Sequence, residues 1–357
     1  QTSLLPNRET LSLLYLRLNH EFDAAWLELQ KILSQSNVPL RKIHDWFNEG
    51  LEITEVYHGD DRPLKLGPKA ILMCGNIKRA IKKIDRLVLK IEDDSTITFT
   101  DRFDDSVKLT FPKPELVAAI RHFAYYDSMD ITNRTDFCVS RVRDPVKKAM
   151  KRFYTKKETK KFLQRLQSED WRTILKNGSA RVNICARADL AAQGTMQVVL
   201  RSEEPCFLVG YGYNVRGFKN EREEKLFTLW MNSTVGLIQL VAKSTITRGS
   251  WIKLEQFTTE QVTMPIVSQL TEDQWKSVDK LWESVSKIST PSLLEQLKTS
   301  NSTRLELDKS MLELVGVSRE QAKPLAQKLE RALLEAIKML QATMVPKKSA
   351  QKSPKGK

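Results

Sequence analysis

Leu226 to Lys253 reads LFTLWMNSTVGLIQLVAKSTITRGSWIK, and its two halves follow different rules. The first half is apolar at nearly every helical position: Leu226, Phe227, Leu229, Trp230, Val235, Leu237, Ile238, Leu240 and Val241. A helix apolar on most faces belongs in a core, so with its charged opening the stretch predicts one helix over Glu221 to Ala242. Asn232, Ser233 and Thr234 interrupt that apolar run. A buried polar group left unpaired costs about 1–3 kcal/mol, so Asn232 is expected first of all to tie the helix to a neighbouring backbone segment. The second half, Thr247, Arg248, Gly249, Ser250, Trp251 and Lys253, is hydrophilic around a glycine and reads as a loop entering a strand. Glycine lets a backbone approach another molecule closely, and arginine forks onto phosphates and base edges. Trp251 reads as a core residue rather than a stacking platform.

Size and composition frame that stretch. The chain has 357 residues, 41% of them hydrophobic, with 13 Phe and 7 Trp, which is the make-up of a folded protein of two or three domains. Its net charge of +14 favours an anionic partner, nucleic acid before a membrane surface. The four cysteines, Cys74, Cys138, Cys185 and Cys206, lie far apart and form no CxxC pair, which argues against a zinc site and fits free thiols in the cytoplasm. The four histidines are scattered with no HExxH, and no apolar run is long enough to span a membrane.

Upstream, Phe22, Trp26, Leu29, Ile32 and Leu33 fit one helical face, and Val38 to Leu51 reads as a second helix. Tyr57 to Pro68, rich in Gly, Asp and Pro, reads as a linker or long loop, followed by a helix over Ala70 to Ile84. Leu87 to Ile91, Thr96 to Thr100 and Val107 to Phe111 predict a three-stranded meander with acidic turns. Those acids lack the spacing and central glycine of a calcium loop. Glu115 to Ala124 reads as a short helix and Tyr126 to Val142 as strand and loop. Lys147 to Arg165 is the densest basic stretch, with Phe153, Tyr154 and Phe162 interleaved. Two compatible readings stand for it: a solvated helix anchored by its aromatics, or a face that meets phosphates and bases. Ala180 to Cys185, Gln197 to Leu200 and Phe207 to Tyr211 predict strands, with Arg187 and Asp189 opening a polar connection. GYGYNVRG, residues 210–217, has the wrong spacing for a cofactor loop and reads as a glycine-eased turn.

Downstream, Gln261 to Leu270 is extended, and three or four helices follow: Glu272 to Lys287, Thr303 to Val315 and Arg319 to Met344 carry apolar residues at helical spacing. The last helix fits either the interior of a bundle or a partner helix. Pro346 to Lys357, with five lysines and no large apolar residue, reads as a disordered tail.

Several of these segments, in this order, resemble the C-terminal recognition region of adenine-specific DNA methyltransferases of restriction-modification systems. Trp230-Met231-Asn232-Ser233-Thr234 and Thr247-Arg248-Gly249-Ser250-Trp251 resemble that family's Trp-Leu-Asn-Ser-Thr and Thr-Arg-Gly-x-Trp blocks. Ala180-Arg181-Val182 with Ala186-Arg187, Met264-Pro265-Ile266-Val267, and Arg304-Leu305-Glu306-Leu307-Asp308 with Leu314-Val315-Gly316 extend the likeness from about Ala180 to Gly316. The family moves a methyl group from S-adenosylmethionine to the exocyclic amine of a flipped adenine, held by an Asn/Asp-Pro-Pro-Tyr/Phe tetrad. The chain departs from the family there. It contains no such tetrad, Asn37-Val38-Pro39-Leu40 being the nearest, and no strand–glycine loop for the cofactor. The resemblance therefore implies the portion after a catalytic domain that lies on the same parent chain or on another subunit. S-adenosylmethionine belongs to that domain, and this chain by itself is expected to hold no cofactor and to be inactive.

The resulting expectation is an α+β chain: a recognition domain of short strands and helices, then a C-terminal helical region. Residues 1–65 form an N-terminal helical segment, 66–270 the recognition domain, 271–345 the helical region and 346–357 the tail. The partner is double-stranded DNA, with basic residues setting register on phosphates and a few side chains reading base edges. Candidate contacts are Arg248 first, then Lys253, Arg187, Arg216, Lys151, Arg152 and Lys156. Two competitors come from other classes. One is a helical protein-interaction module, acting through Arg319 to Met344, whose charge is incidental. The other is a metal nuclease, for which Glu223-Glu224-Lys225 has a suggestive spacing but opens a helix among ordinary surface charges.

Overall fold

A computed structural model describes residues 20–56, 72–73, 87–101, 104–120, 122–140, 156, 160, 173, 175–209, 212–248 and 251–342. The readings of the linker at Tyr57 to Pro68, the helix at Ala70 to Ile84, most of the basic stretch Lys147 to Arg165 and the lysine-rich tail lie outside these residues. The fold is α+β. It opens with α1 (His20–Ser34), which buries Phe22, Ala25 and Leu29 on the face its spacing predicts. Val38 to Leu51 is not one helix. It divides into β1 (Leu40–Lys42), the single turn α2 (Ile43–Trp46) and a 3₁₀ turn ending at Gly50, whose φ is 100°. The cause is distant in sequence: β1 pairs antiparallel with residues 263–265.

The strands β2 (Glu52–Val56), β3 (Leu72–Met73), β7 (Leu116–Ile120), β8 (Asp136–Val139), β9 (Ser179–Cys185), β11 (Val199–Leu208) and β12 (Gly212–Arg216) form one sheet in the order β2-β12-β9-β11-β7-β8-β3. The meander stands as read, as β4 (Leu87–Glu92), β5 (Thr96–Asp101) and β6 (Asp104–Pro112) in a separate sheet. Its acidic turn is a local device. Asp93 accepts from the amides and hydroxyls of Ser95 and Thr96, and the Thr96 hydroxyl bond leads in holding its pKa down to about 2.

Three other readings change in the large sheet. Leu116 to Ile120 is a strand rather than a helix, because it lies between β8 and β11 and is paired on both sides; pairing and burial override the helical preference of its alanines. The two strands expected around Gln197 and Phe207 are a single β11, whose register against β9 shifts between Arg201 and Cys206. GYNVR is not a turn but β12, inserted between β2 and β9. Gly212 serves close packing there: a Cβ would lie 2.6 Å from the Ile184 carbonyl oxygen and from the Leu208 side chain.

The predicted central helix is two helices. α3 (Glu221–Asn232) ends at Ser233, whose backbone is extended and whose hydroxyl caps α4 (Thr234–Lys243) by accepting from the Gly236 amide. Gly236 permits the corner, since a Cβ would stand 2.2 Å from the Trp230 carbonyl oxygen. Asn232 does what a buried amide must. Its Oδ1 accepts from the Val198 and Val199 amides at 2.9 and 3.1 Å, and its Nδ2 donates to the Val199 carbonyl at 2.8 Å. α3 is thereby fastened to β11.

The other side of the corner meets the C-terminal helices. These are α6 (Glu272–Val285), α7 (Leu293–Lys298), α8 (Ser302–Leu314) and α9 (Arg319–Ala342), preceded by the short α5 (Gln256–Glu260) and by β15 (Thr263–Pro265). From α8, Asp308 accepts from the Thr234 amide at 2.6 Å and from its hydroxyl, while Arg304 donates to the Asn232 carbonyl and to Gln296 Oε1. Both charges are buried, and Glu330 of α9 is buried with them. Burial and the neighbouring Asp308 charge push the Glu330 carboxyl up to about 8, so it enters the core as an acid. α9 packs on α1, α4, α7 and α8. Its apolar face, including Ala326, Leu329, Leu333 and Ile337, is buried within the chain, which resolves the alternative left open for it. No helix among the described residues is long and apolar enough to cross a membrane.

Two outcomes follow from the corner. Asn232→Ala strands several buried backbone groups of β11 and is expected to lower the unfolding free energy by about 3–5 kcal/mol; a loss under about 1 kcal/mol in urea unfolding contradicts the role given to Asn232. Glu330 has a folded pKa of about 8 against an ordinary 4.5, so the folded chain keeps a proton that the unfolded chain releases. Its contribution is complete below about pH 4.5 and is lost as pH rises towards 8, with a slope of at most about 1.4 kcal/mol per pH unit. Glu330→Gln, neutral at every pH, should flatten that part of the stability profile and raise the melting temperature at pH 8 more than at pH 5.

Candidate nucleic-acid interface

α4 runs into a small sheet made of β10 (Arg187–Asp189), β14 (Trp251–Lys253) and β13 (Thr245–Arg248), in the order β10-β14-β13. The polar connection expected at Arg187 is therefore a strand, and the segment from Thr247 to Trp251 belongs to a β-hairpin. Strand side chains alternate between faces, and the register sorts them. Arg187 stands opposite Lys253, and Lys253 opposite Thr245; one pleat along, Asp189 stands opposite Trp251, and Trp251 opposite Arg248 after a register shift. The positions between, Ala188 and Ile252, are buried. The sheet thus has an apolar inner face fixed to the core and an outer face carrying Arg187, Lys253 and Trp251.

Arg187 is exposed. Lys253 is partly exposed and lies 2.6 Å from Glu255. Asp189 Oδ1 accepts from the Ala191 amide at 3.1 Å, which shapes the turn leaving β10. Trp251 is 42% exposed, against the core role read for it. No periodicity in the sequence distinguishes an outward strand tryptophan from an inward one; the identity of its neighbour Ile252 as the buried residue decides it.

The other candidates fall elsewhere. Arg248 holds its register position in β13, while its side chain lies outside the described set, as do Gly249, Ser250, Lys151 and Arg152. Lys156 is exposed and helical. Arg216 is on the large sheet, where its guanidinium donates to the carbonyls of Ser179, at 3.1 and 2.7 Å, and of Lys176 and Asn177. That geometry fastens β12 to the chain entering β9. Of the seven candidates the register gathers three, Arg187, Lys253 and Arg248, onto one small sheet.

The Glu223-Glu224-Lys225 triplet is not ordinary surface charge. Glu223 and Glu224 are buried. Glu223 Oε2 accepts from the Lys219 amide at 2.8 Å at the start of α3. Glu224 faces Arg201 and Arg181, both at 3.3 Å, and burial raises its pKa despite them. Arg201, itself buried, also reaches Glu221 at 3.1 Å and lies over the Trp282 ring. These groups bind β11, α3 and α6 to one another. Cys138, Cys185 and Cys206 are buried thiols, and burial pushes Cys185 and Cys206 up to about 12, which keeps both protonated and unreactive. Among the described residues no three His, Cys, Asp or Glu side chains are grouped to hold a metal ion. A cavity of about 630 Å³ between α1 and α9 includes Glu28 and Lys328, which pair with each other at 2.8 Å.

No protein-family model matches the chain, and no curated protein matches it. Among solved structures, it is similar to the type IIG restriction endonuclease BpuSI at 13% sequence identity and a TM-score of 0.49. The match covers 93% of this chain and 33% of that one, so the chain spans about a third of that enzyme's length.

Proposed function

We propose that this chain is the DNA-specificity portion of an adenine-specific, S-adenosylmethionine-dependent DNA methyltransferase of a restriction-modification or phage-defence system. Its partners on this reading are double-stranded DNA and a catalytic methyltransferase domain. The observation that carries the proposal is spatial. The Trp-x-Asn-Ser-Thr segment and Arg304–Asp308, which resemble separate motifs of that family, meet in one buried network. The Thr-Arg-Gly-x-Trp hairpin leaves the end of α4, close in sequence to that network, and presents Lys253 and Trp251 outward beside Arg187.

The chemistry is phosphate neutralisation by Arg187 and Lys253, with Arg248 on the same hairpin as the candidate for a base edge. A guanidinium fork suits guanine O6 and N7, and an ammonium suits a phosphate as a point charge. Glu255 competes for Lys253, which makes the site's affinity depend on breaking that pair. The helical-module alternative loses its chosen surface, because the apolar face of α9 is covered by α1, α4, α7 and α8. The chain's net charge of +14 adds a long-range attraction that any DNA would feel.

Two measurements test the proposal. Binding to a random duplex pool, with sequencing of the retained DNA, is expected to enrich a short adenine-containing motif; binding without enrichment leaves only a basic surface. In a salt series, Arg187→Ala with Lys253→Ala removes up to two phosphate contacts and should reduce the slope of log K against log salt by as much as about 1.8. Glu255→Gln should strengthen binding at low salt. Unchanged slope and affinity in both variants rule this face out as the contact.

A further inference from the structure

We infer that the pocket between α1, α4 and the β1–β15 ribbon binds a small phosphomonoester, of the class of a nucleoside monophosphate, at Lys42 and Lys243. The site lies on other elements than the small basic sheet, so the inference is independent of the DNA-binding reading above.

Local structure builds the walls. In the ribbon Lys42 stands opposite Thr263, and Leu40 opposite Pro265. Side chains alternate along a strand, so Leu40 and Lys42 share one face. Arg41 takes the other, where it pairs with Glu49 and lies over the Trp46 ring. Gln239 of α4 holds the Thr263 backbone with both ends of its amide: Oε1 accepts from the Thr263 N–H at 2.8 Å, and Nε2 donates to the Thr263 carbonyl at 3.0 Å. The Trp230 indole donates to the same carbonyl at 3.0 Å. α1 supplies the remaining wall with Trp26 and Leu33, both half-buried against the core. Protein contacts thus fix α4 to the ribbon and seat α1 beside them, around a volume of about 510 Å³.

Charge says what the pocket takes. Its lining includes two lysines and no acid, whereas the cavity between α1 and α9 sets Glu28 and Glu320 against Lys31 and Lys328. The two ammonium groups converge on one residue. Lys42 Nζ donates to Gln261 Oε1 at 2.7 Å, and Lys243 Nζ donates to the Gln261 carbonyl and stands 5.9 Å from the centroid of the Trp26 ring. These acceptors are neutral, so they orient the ammonium groups without cancelling their charge. The last turns of α1 and α4 also reach the pocket, at Ser34 and Lys243. Each helix end is equivalent to about half a negative charge, which leaves the pocket positive by about one charge. A phosphomonoester carries about −1.5 to −2 near pH 7 and suits two ammonium groups at one end of a pocket. Lysine meets phosphate as a point charge, while a lone carboxylate is better matched by an arginine fork. Beside the lysines lies an apolar wall of Leu33, Leu40 and Ala242. The volume falls among the roughly 300–1,000 Å³ of small-ligand pockets, so an organic group larger than phosphate fits, and the wall favours a planar or apolar one.

The test titrates the whole chain calorimetrically with adenosine 5′-monophosphate, adenosine and inorganic phosphate in a phosphate-free buffer. The unsubstituted chain, Lys42→Gln, Lys243→Gln and Lys31→Gln are compared, and melting temperatures confirm folding. Lys31 is exposed on α1 outside this pocket and controls for attraction by net charge. One adenosine monophosphate is expected to bind per chain, more tightly than adenosine or phosphate alone. Lys42→Gln and Lys243→Gln should each weaken it roughly 10-fold and leave adenosine unchanged; Lys31→Gln should behave as the parent. Lys42 is exposed, so its variant carries the test even if Lys243→Gln fails to fold. If the nucleotide does not bind, or if Lys31→Gln weakens it as much as Lys42→Gln, the site is overturned. The same proteins are titrated with duplex DNA in a salt series, with and without the nucleotide. If Lys42→Gln lowers the DNA salt slope and the nucleotide does not compete, the pocket holds a backbone phosphodiester; the inference is then overturned while the DNA-binding reading stands. Nucleotide binding that depends on Lys42, in a chain that binds no DNA at low salt, upholds the inference and overturns only that reading.

Discussion

The corner at Asn232-Ser233-Thr234 is the constraint on which the rest of this protein hangs. A continuous helix from Glu221 to Lys243 would need no polar residue there. Breaking it exposes backbone donors and acceptors in the middle of the core, and each must be met. Ser233 meets one side, its hydroxyl donating to the Trp230 carbonyl and accepting from the Gly236 amide, and the Asn232 side chain ties the corner to the backbone of β11. Asp308 and Arg304 meet the other from α8. The sheet and the C-terminal helices are thus joined through one buried set of hydrogen bonds, and the same hydrophobic core runs from Phe22 of α1 through the sheet to Ile337 of α9.

That arrangement carries a charge problem, and the fold answers it with protonation. Arg304 and Asp308 lie in a dry interior where an isolated ion is costly. The third group, Glu330, has its carboxyl pushed up to about 8 by burial and by Asp308. It can then sit beside Asp308 without adding a second negative charge. The ends of the network also set direction: α4 departs from the corner towards β13, so the orientation of the basic hairpin depends on how Ser233 and Gly236 turn the chain.

Much of the candidate site could be read in the residues themselves. Arg248, Lys253 and Arg187 are hydrophilic, near a glycine or a turn, and flanked by apolar runs, and the structure gathers them on one small sheet. Arg216 has the same composition and a different job, because the carbonyls of residues 176–179 converge on its guanidinium. Trp251 went the other way. Its chemistry favours a core, but its strand partner Ile252 takes the inner face. Glu223 and Glu224 have the composition of surface charge, yet the fold buries both: Glu224 lies against Arg201 and Arg181, and Glu223 accepts from the Lys219 amide.

By itself the sequence determined what depends on near neighbours: the helical face of α1, the meander β4 to β6, the three long C-terminal helices and the need of Asn232 for a backbone partner. Periodicity and local pairing are enough for these, since the forces act within one turn or one hairpin. Only the tertiary structure decided that Leu116 to Ile120 and GYNVR are strands, that residues 38–51 divide between strand and turn, and that the central helix bends at Ser233. In each case the deciding partner is remote in sequence: β8 and β11, β2 and β9, β15, and Asp308. Hydrogen bonding and burial against those partners outweigh local preferences worth a few tenths of a kcal/mol per residue.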